Sequence, residues 1–304
     1  MDKLQAMSVF VQIAERGSLT AAADALGKSL PAVVRILASL EDALQVRLFN
    51  RTTRRIALTE EGRFYLERCR RILGDIEDTE LTLGQHETEP RGVITVTAPV
   101  RFGEMHVAPA VTHFLRRYRQ LQVRLLLLDR VIDMLEEGVD VAVRIATLAD
   151  SSLIAKPIGA IRQVVCASPE LLAETGQPQR PEDLSRLPCV RFTGISAAST
   201  WRFRENGRDL TVPVNASFNC NQVGPSVNAC IAGLGFGMFY CYQVMPAVRR
   251  GELQLLLTEF EPDPLPLSLV FPQNRLLSPR VRSFVDWMAQ ALPASLEIKG
   301  SQCE

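Results

Sequence analysis

The chain has 304 residues, 47% of them hydrophobic, with 34 Lys plus Arg against 34 Asp plus Glu; that length asks for more than one core, since single cores stop growing near ~250–300 residues. No apolar run approaches the ~20 residues of a membrane span, and acidic and polar residues interrupt MDKLQAMSVF where a signal peptide needs an apolar stretch, so the expected location is cytoplasmic. The seven cysteines (69, 166, 189, 220, 230, 241 and 303) are odd in number and contain no CxxC pair, which argues against a disulfide framework and against a zinc site.

Zero net charge counts against a nucleic-acid partner only if the charge is spread evenly. Residues 28–71 hold ten basic residues against five acidic ones, and residues 72–89 hold six acids and no Lys or Arg. A local basic patch of this kind is the footprint that duplex binding needs.

In chain order, Met7, Phe10, Val11 and Ala14 recur at i, i+3, i+4, i+7 and predict a helix over 4–16, stopped at Gly17. Ser18 is a good N-cap for a second helix over 19–26. Gly27 supplies a turn, and Ser29 caps a third helix with Pro31 in its first turn. On that third helix Val33, Ile36, Leu37, Leu40 and Leu44 form one apolar stripe, while Leu30, Val34, Arg35 and Ala38 fall outside it. Two aliphatic residues beside an arginine suit a major-groove floor, where apolar atoms meet thymine methyls and arginine meets guanine or phosphate. The competing reading packs Leu30 and Val34 on a neighbouring domain. RLFNRTTRRIAL (47–58) reads as two short strands around a tip rich in Arg and Thr, a basic wing able to follow phosphates or enter a minor groove.

Thr59 caps a long helix over 60–85. Tyr65, Cys69, Ile72, Ile76, Thr79 and Leu83 step 4, 3, 4, 3, 4, a 3.5-residue seam that calls for a partner helix. Dimerisation is the simplest cover for it, and packing on its own domain is the competitor. After a linker signal at 89–92 the pattern changes. Strands are predicted at 93–98, 123–128 and 139–145, with helices at 107–118 and 132–137, and such alternation implies a parallel sheet covered by helices. A second group follows: a strand at 163–167, a helix at 169–175, a strand at 189–192, then a hairpin in which WRFR and RDLTV flank Glu205, Asn206 and Gly207. A helix over 224–232 precedes a glycine turn at 233–237. A strand at 267–271 returns to the first sheet, and a helix over 281–292 closes the chain.

The sequence carries no HExxH, GxSxG or Walker-type loop, GLGFG lacks GxGxxG spacing, and His86, His106 and His113 form no ligand pattern. No enzyme and no metal site is expected. A plain small-molecule binding protein would explain 92–292 and leave the helix-turn-helix unexplained. A redox-responsive variant, using Cys220 and Cys230, rests on their spacing alone.

AERGSLTAAADAL, the SLPAVVRILASLE helix, VRLFNRTTRRIALTEEG and PRGVITVTAP together carry a resemblance to LysR-type transcriptional regulators over essentially the whole chain. The resemblance implies an α/β protein with a winged helix-turn-helix (1–59), a dimerising linker helix (60–89) and an effector domain of periplasmic-binding-protein type (90–304). Lobe one of that domain would take 90–162 and 267–293, and lobe two 163–266. It implies double-stranded promoter DNA, a small-molecule effector and other copies of the chain, as dimers and tetramers, for partners, with no membrane and no resident cofactor. The implied DNA-contacting positions are Thr20, Lys28, Ser29, Leu30, Pro31, Val34, Arg35, Thr53, Arg54 and Arg55. Leu30 and Val34 depart from the family's common Gln and Ser, which predicts a partly apolar readout of T-containing steps. The implied dimer seam is Tyr65, Cys69, Ile72, Ile76 and Leu83. Effector-lining positions fall at Pro99, Val100, Arg101, Phe102, Asp129, Arg144, Phe192, Thr193, Asn221, Gln222 and Phe239. Backbone amides at these junctions and the guanidinium of Arg101 make a small organic acid the expected ligand.

Overall fold

The chain divides into two units, Met1–Thr88 and Glu89–Glu304. The computed structural model describes residues 2–52, 55–83, 89–147, 153–194, 198–272 and 278–298.

In the first unit, α1 (Lys3–Arg16) starts at Asp2, whose carboxylate accepts from the Gln5 N–H at 3.2 Å, and ends at Gly17 in the left-handed conformation. Then α2 (Leu19–Ala25) is capped by Ser18, whose hydroxyl accepts from the Ala21 N–H at 3.3 Å. In α3 (Leu30–Leu44) Ser29 takes the N-cap position but its side chain makes no capping bond. Val33, Leu37 and Leu40 of α3 are buried against Ala6, Val9, Phe10, Ile13, Ala22 and Ala23, while Ile36 and Leu44 are half-buried at the edge of that core. The wing is the antiparallel pair β1 (Phe49–Thr52) and β2 (Arg55–Leu58).

The long helix α4 (Glu60–Leu83) leaves the wing through Thr59, whose hydroxyl accepts from the Gly62 N–H at 2.9 Å and donates to the Arg47 carbonyl at 2.8 Å. A Cβ at Gly62 would lie 2.0 Å from the Leu48 carbonyl oxygen, so no larger residue lets α4 pass this close to the chain. Its first turns are part of the unit's own core. Leu66 and Cys69 are buried there, Leu73 packs on them, and the Tyr65 ring sits 5.4 Å from Phe10. The seam expected to face a partner is thereby corrected at Tyr65 and Cys69, because the intramolecular core uses the same spacing. Phe64, 65% exposed, and Ile72, 39% exposed, lie outside that core. Ile76 is half-buried, and the Thr79 and Leu83 side chains lie outside the described residues.

The second unit contains two five-stranded sheets. Sheet one has the order β4-β3-β5-β14-β6, from β3 (Gly92–Ala98), β4 (Leu121–Leu127), β5 (Val141–Ile145), β6 (Leu153–Ile161) and β14 (Leu265–Pro272). Sheet two has the order β11-β8-β12-β7-β13, from β7 (Gln163–Ala167), β8 (Cys189–Phe192), β11 (Ala216–Cys220), β12 (Phe236–Tyr240) and β13 (Gln254–Leu256). The expected parallel pairing holds for β4-β3-β5 and β11-β8-β12, whereas β14, β6, β7 and β13 add antiparallel pairings. Between strands run α5 (Val100–Phe102), which continues through a π-helical stretch, Gly103–Val107, into α6 (Ala108–Arg117), then α7 (Pro169–Thr175), α8 (Val223–Ile231), α9 (Cys241–Arg249) and the closing α10 (Pro279–Ile298). The hairpin β9 (Thr200–Glu205) and β10 (Arg208–Pro213) turns at Asn206 and Gly207, both with positive φ, 49° and 76°.

The helix expected over 132–137 is a turn. The Asp133 carboxylate accepts from the N–H groups of Leu135 and Glu136 at 2.8 and 3.0 Å, offering the backbone a local alternative to helix. The glycine turn expected over 233–237 ends early, because Phe236 and Gly237 already belong to β12. One core joins the two lobes: Ile94, Val96, Phe102 and Val143 from the first pack in a continuous cluster with Val164, Val190, Phe239 and Tyr242 from the second. The chain crosses between lobes at Arg162 and again between β13 and β14. Arg162 fastens the crossings together, donating from Nε and Nη2 to the two carboxylate oxygens of Glu261, each at 2.6 Å.

Candidate DNA-reading face and effector cleft

The first site is the outward edge of α2 and α3. Thr20, Ser29, Leu30, Pro31 and Arg35 are exposed along it, Leu30 at 41%, and Lys28 and Val34 are half-buried beside them. The stripe that buries Val33, Leu37 and Leu40 is what turns this edge to solvent. Arg55 belongs to β2; its side chain and all of Thr53 and Arg54 lie outside the described residues.

Sequence reasoning missed Glu41. Its carboxylate is buried and accepts from the N–H groups of Leu48 and Phe49 at 2.8 and 3.3 Å through Oε1, while Oε2 pairs with Arg47 at 3.1 Å. Those bonds tie the end of α3 to the start of the wing, and so set the spacing between two DNA-contacting candidates. The available signal was a charged residue four positions after Leu37, on the apolar stripe itself.

The second site lies where the C-terminal ends of the parallel strands in the two lobes face each other, the usual place for ligands in open α/β sheets. At the end of β3, Pro99 precedes α5, and the Val100 N–H donates to Oδ1 of Asp129 at 3.0 Å. At the end of β12 in lobe two is Tyr240, half-buried and stacked on Tyr242 with ring centroids 6.1 Å apart and planes at 14°. Burial, and then the nearby Asp129 carboxylate, push the Tyr240 phenol up to about 12. Gln243 completes the corner: its Oε1 accepts from the Tyr240 N–H at 3.0 Å and its Nε2 donates to the Tyr242 hydroxyl at 3.2 Å. Neither tyrosine was among the sequence candidates, because Phe236–Tyr242 is an unbroken apolar run that hides the end of a strand.

Thr193, half-buried, donates its N–H to the Cys220 carbonyl at 2.8 Å at the ends of β8 and β11. Asn221 and Gln222 are exposed at the start of α8. Three expected lining residues are corrected to core: Phe102 and Phe239 are fully buried in the inter-lobe core, and Phe192 is buried beside them. Arg144 does not converge with the others. It alternates with Val143 and Ile145, which face the inter-lobe core, and so lies on the opposite face with Ala142, where burial lowers its pKa. Arg101 pairs with Glu104 at 3.1 Å. It lines a cavity of about 140 Å³ with Val223, Val227, Asn228 and Gln243.

Cys220 is half-buried at the end of β11, whereas Cys230 is buried on α8, and the thiols close enough to act on it are Cys166 and Cys189. Burial pushes Cys166 and Cys189 up to about 12 and Cys230 well above the ordinary range, which disfavours the reactive thiolate in all three. Among the described residues no His, Cys, Asp and Glu group could hold a metal ion, and no helix is long and apolar enough to cross a membrane.

Two family models match consecutive parts of this chain: the bacterial regulatory helix-turn-helix protein, lysR family, over residues 4–63, and the LysR substrate binding domain over residues 87–293. The chain belongs to the LysR family of transcriptional regulators. It is similar to an HTH-type transcriptional repressor of Pseudomonas aeruginosa, 34% identical over 98% of this chain and 95% of that one. It is also similar to the HTH-type transcriptional activator AaeR of Escherichia coli, 31% identical over 94% and 93%. Among solved structures, CrgA, a LysR-type transcriptional regulator from Neisseria meningitidis, matches with a TM-score of 0.60 and 33% identity, covering 95% of this chain and 98% of that one. As a LysR-type regulator, the chain is a DNA-binding protein with an effector-binding domain, and its family is one of regulators rather than enzymes.

Proposed function

We propose that this regulator reads promoter DNA with the α2–α3 edge, Thr20, Lys28, Ser29, Leu30, Pro31, Val34 and Arg35, together with the wing positions Thr53, Arg54 and Arg55. A small molecule between the lobes of the second unit, at Pro99, Val100, Asp129, Thr193, Asn221 and Gln222, changes that binding. The observation that carries the reading is the exposed edge headed by Leu30 and Arg35, followed directly by the wing, within the stretch of basic surplus. Other copies of the chain join through the outward face of α4, where Phe64 and Ile72 stand clear of the core and Ile76 continues the row.

The test is binding to the DNA upstream of its own gene at two salt concentrations. A dimer that neutralises about six to ten phosphates loses roughly 10³–10⁵ in affinity between about 50 and 200 mM salt. A flat salt response, or no binding at low salt, would sink the reading. With the operator located, Leu30→Ala and Val34→Ala should relax preference at T-containing steps, each by about 1–3 kcal/mol per affected base pair. Unchanged preference would assign those two side chains to packing.

A further inference from the structure

We propose that this regulator binds a small oxyanion carrying two negative charges in the cavity between α8 and α9, whose wall includes Arg101 from lobe one and Arg250 from lobe two. The site shares no residue with the effector site proposed above, and it stands whether or not that reading holds.

The cavity has a volume of about 140 Å³. That admits a phosphate or a short dicarboxylate, and it falls below the ~300–1,000 Å³ of pockets that take drug-sized molecules. Its charge is one-sided: among the described residues the lining holds two arginines, Arg101 and Arg250, and no Asp or Glu. Each guanidinium has an acidic neighbour outside the lining, Glu104 at 3.1 Å from Arg101 and Glu252 at 2.8 Å from Arg250. Both pairs are exposed to solvent, and such pairs hold weakly. A guanidinium carries five N–H donors, so an oxyanion in the cavity can displace the glutamate or share the arginine with it.

The wall adds neutral donors. Gln243 is 6% exposed and lines the cavity; its Nε2 spends one N–H on the Tyr242 hydroxyl at 3.2 Å, and the second is unused among the described residues. A buried N–H in that state calls for an acceptor. Asn228 offers a further side-chain amide from α8. The first turn of α8, with Val223 and Gly224, brings the positive end of the helix to the same wall, and its N-cap residue Gln222 makes no side-chain capping bond. All of these groups favour an acceptor-only, negatively charged ligand. Among the described residues Arg101 is the one lining residue from lobe one, so an anion held by both arginines ties the lobes together there.

The test is thermal unfolding of the full-length protein at about pH 8 and constant ionic strength, with rising inorganic phosphate, malonate or acetate in place of chloride. The variants are Arg101→Gln, Arg250→Gln and, as a control, Arg208→Gln, which removes an exposed arginine of the β9–β10 hairpin that does not line the cavity. The expected result is a saturable rise in Tm with phosphate, malonate or both, and a much smaller one with acetate. A response to phosphate alone narrows the ligand to a phosphate group, and a response to malonate alone narrows it to a dicarboxylate; either supports the site. Arg101→Gln and Arg250→Gln should each weaken the apparent affinity by about tenfold or more, the loss of a charged hydrogen bond. Without ligand both should melt close to the native chain, because neither side chain is buried. Arg208→Gln should keep the full response. An equal rise with acetate, no saturable rise with either dianion, a response that survives either cavity variant, or an equal loss in Arg208→Gln overturns the proposal. Failure of the salt test on upstream DNA would remove the regulator reading and leave this site standing.

Discussion

Glu41 shows how one side chain can set the geometry of the DNA-reading unit. Its carboxylate is the acceptor for two buried amides, Leu48 and Phe49, so replacing it leaves donors with neither protein nor water. Each costs about 1–3 kcal/mol. Glu41→Ala should therefore lower the urea midpoint of the first unit's unfolding by an amount matching a loss of a few kcal/mol, a large part of a small domain's stability. Glu41→Gln, which keeps an acceptor oxygen, should lose less. Equal losses for the two variants would mean that the charge on Arg47 matters and the amides do not. The exposed edge of α2 and α3 was legible because it is what remains once the stripe of Val33, Leu37 and Leu40 is assigned to the core. Glu41 was not, because a carboxylate on a stripe looks like an error in the pattern until the amides it serves are known. Asp129 lies two residues past the end of β4, and its two oxygens differ only through the fold around them.

At the scale of elements, local chemistry decided which ones the sequence revealed. The β9–β10 hairpin was readable because Asn206 and Gly207 accept the positive φ its turn demands. The β12–α9 junction was not, since β12 ends at Tyr240 and α9 begins at Cys241 with no Gly or Pro between them. Asp133 turned an expected helix into a turn through its own side chain. Nothing in the sequence signalled the bond that joins the two crossings between lobes. The Arg162–Glu261 fork is planar and bidentate, and an ammonium cannot reproduce it. Arg162→Ala should lower the Tm of the second unit and raise amide exchange in β7 and β14, and Arg162→Lys should recover little of either. Full recovery with lysine would show that charge alone holds the crossings.

For the whole molecule, the question is how α4 divides its surface between its own unit and another copy. A step of 4, 3, 4, 3 fits any neighbouring helix, so the spacing could not say whether Tyr65 and Cys69 meet α1 of the same chain or a second chain. The fold gives both to the core of the first unit, with Cys69 buried and its thiol pushed up to about 11 by that burial. Phe64 and Ile72 stay outside, one helical face away, with the Arg68 guanidinium 5.2 Å from the centre of the Phe64 ring. A charge placed on that outer face meets water in a lone chain and is buried only if a second copy covers it. The double substitution Phe64→Asp with Ile72→Asp should thus leave the first unit's unfolding midpoint nearly unchanged, lower the mass seen in sedimentation at micromolar protein, and reduce the salt slope on operator DNA by about half, because a single reading head neutralises half the phosphates. Cys69→Ser should behave in the opposite way, costing stability through a hydroxyl placed in an apolar core while leaving mass and salt slope as they were. If instead the Cys69 variant dissociates the assembly and the outer-face variant does not, the buried seam opens to meet a partner and α4 associates through the residues its spacing first suggested.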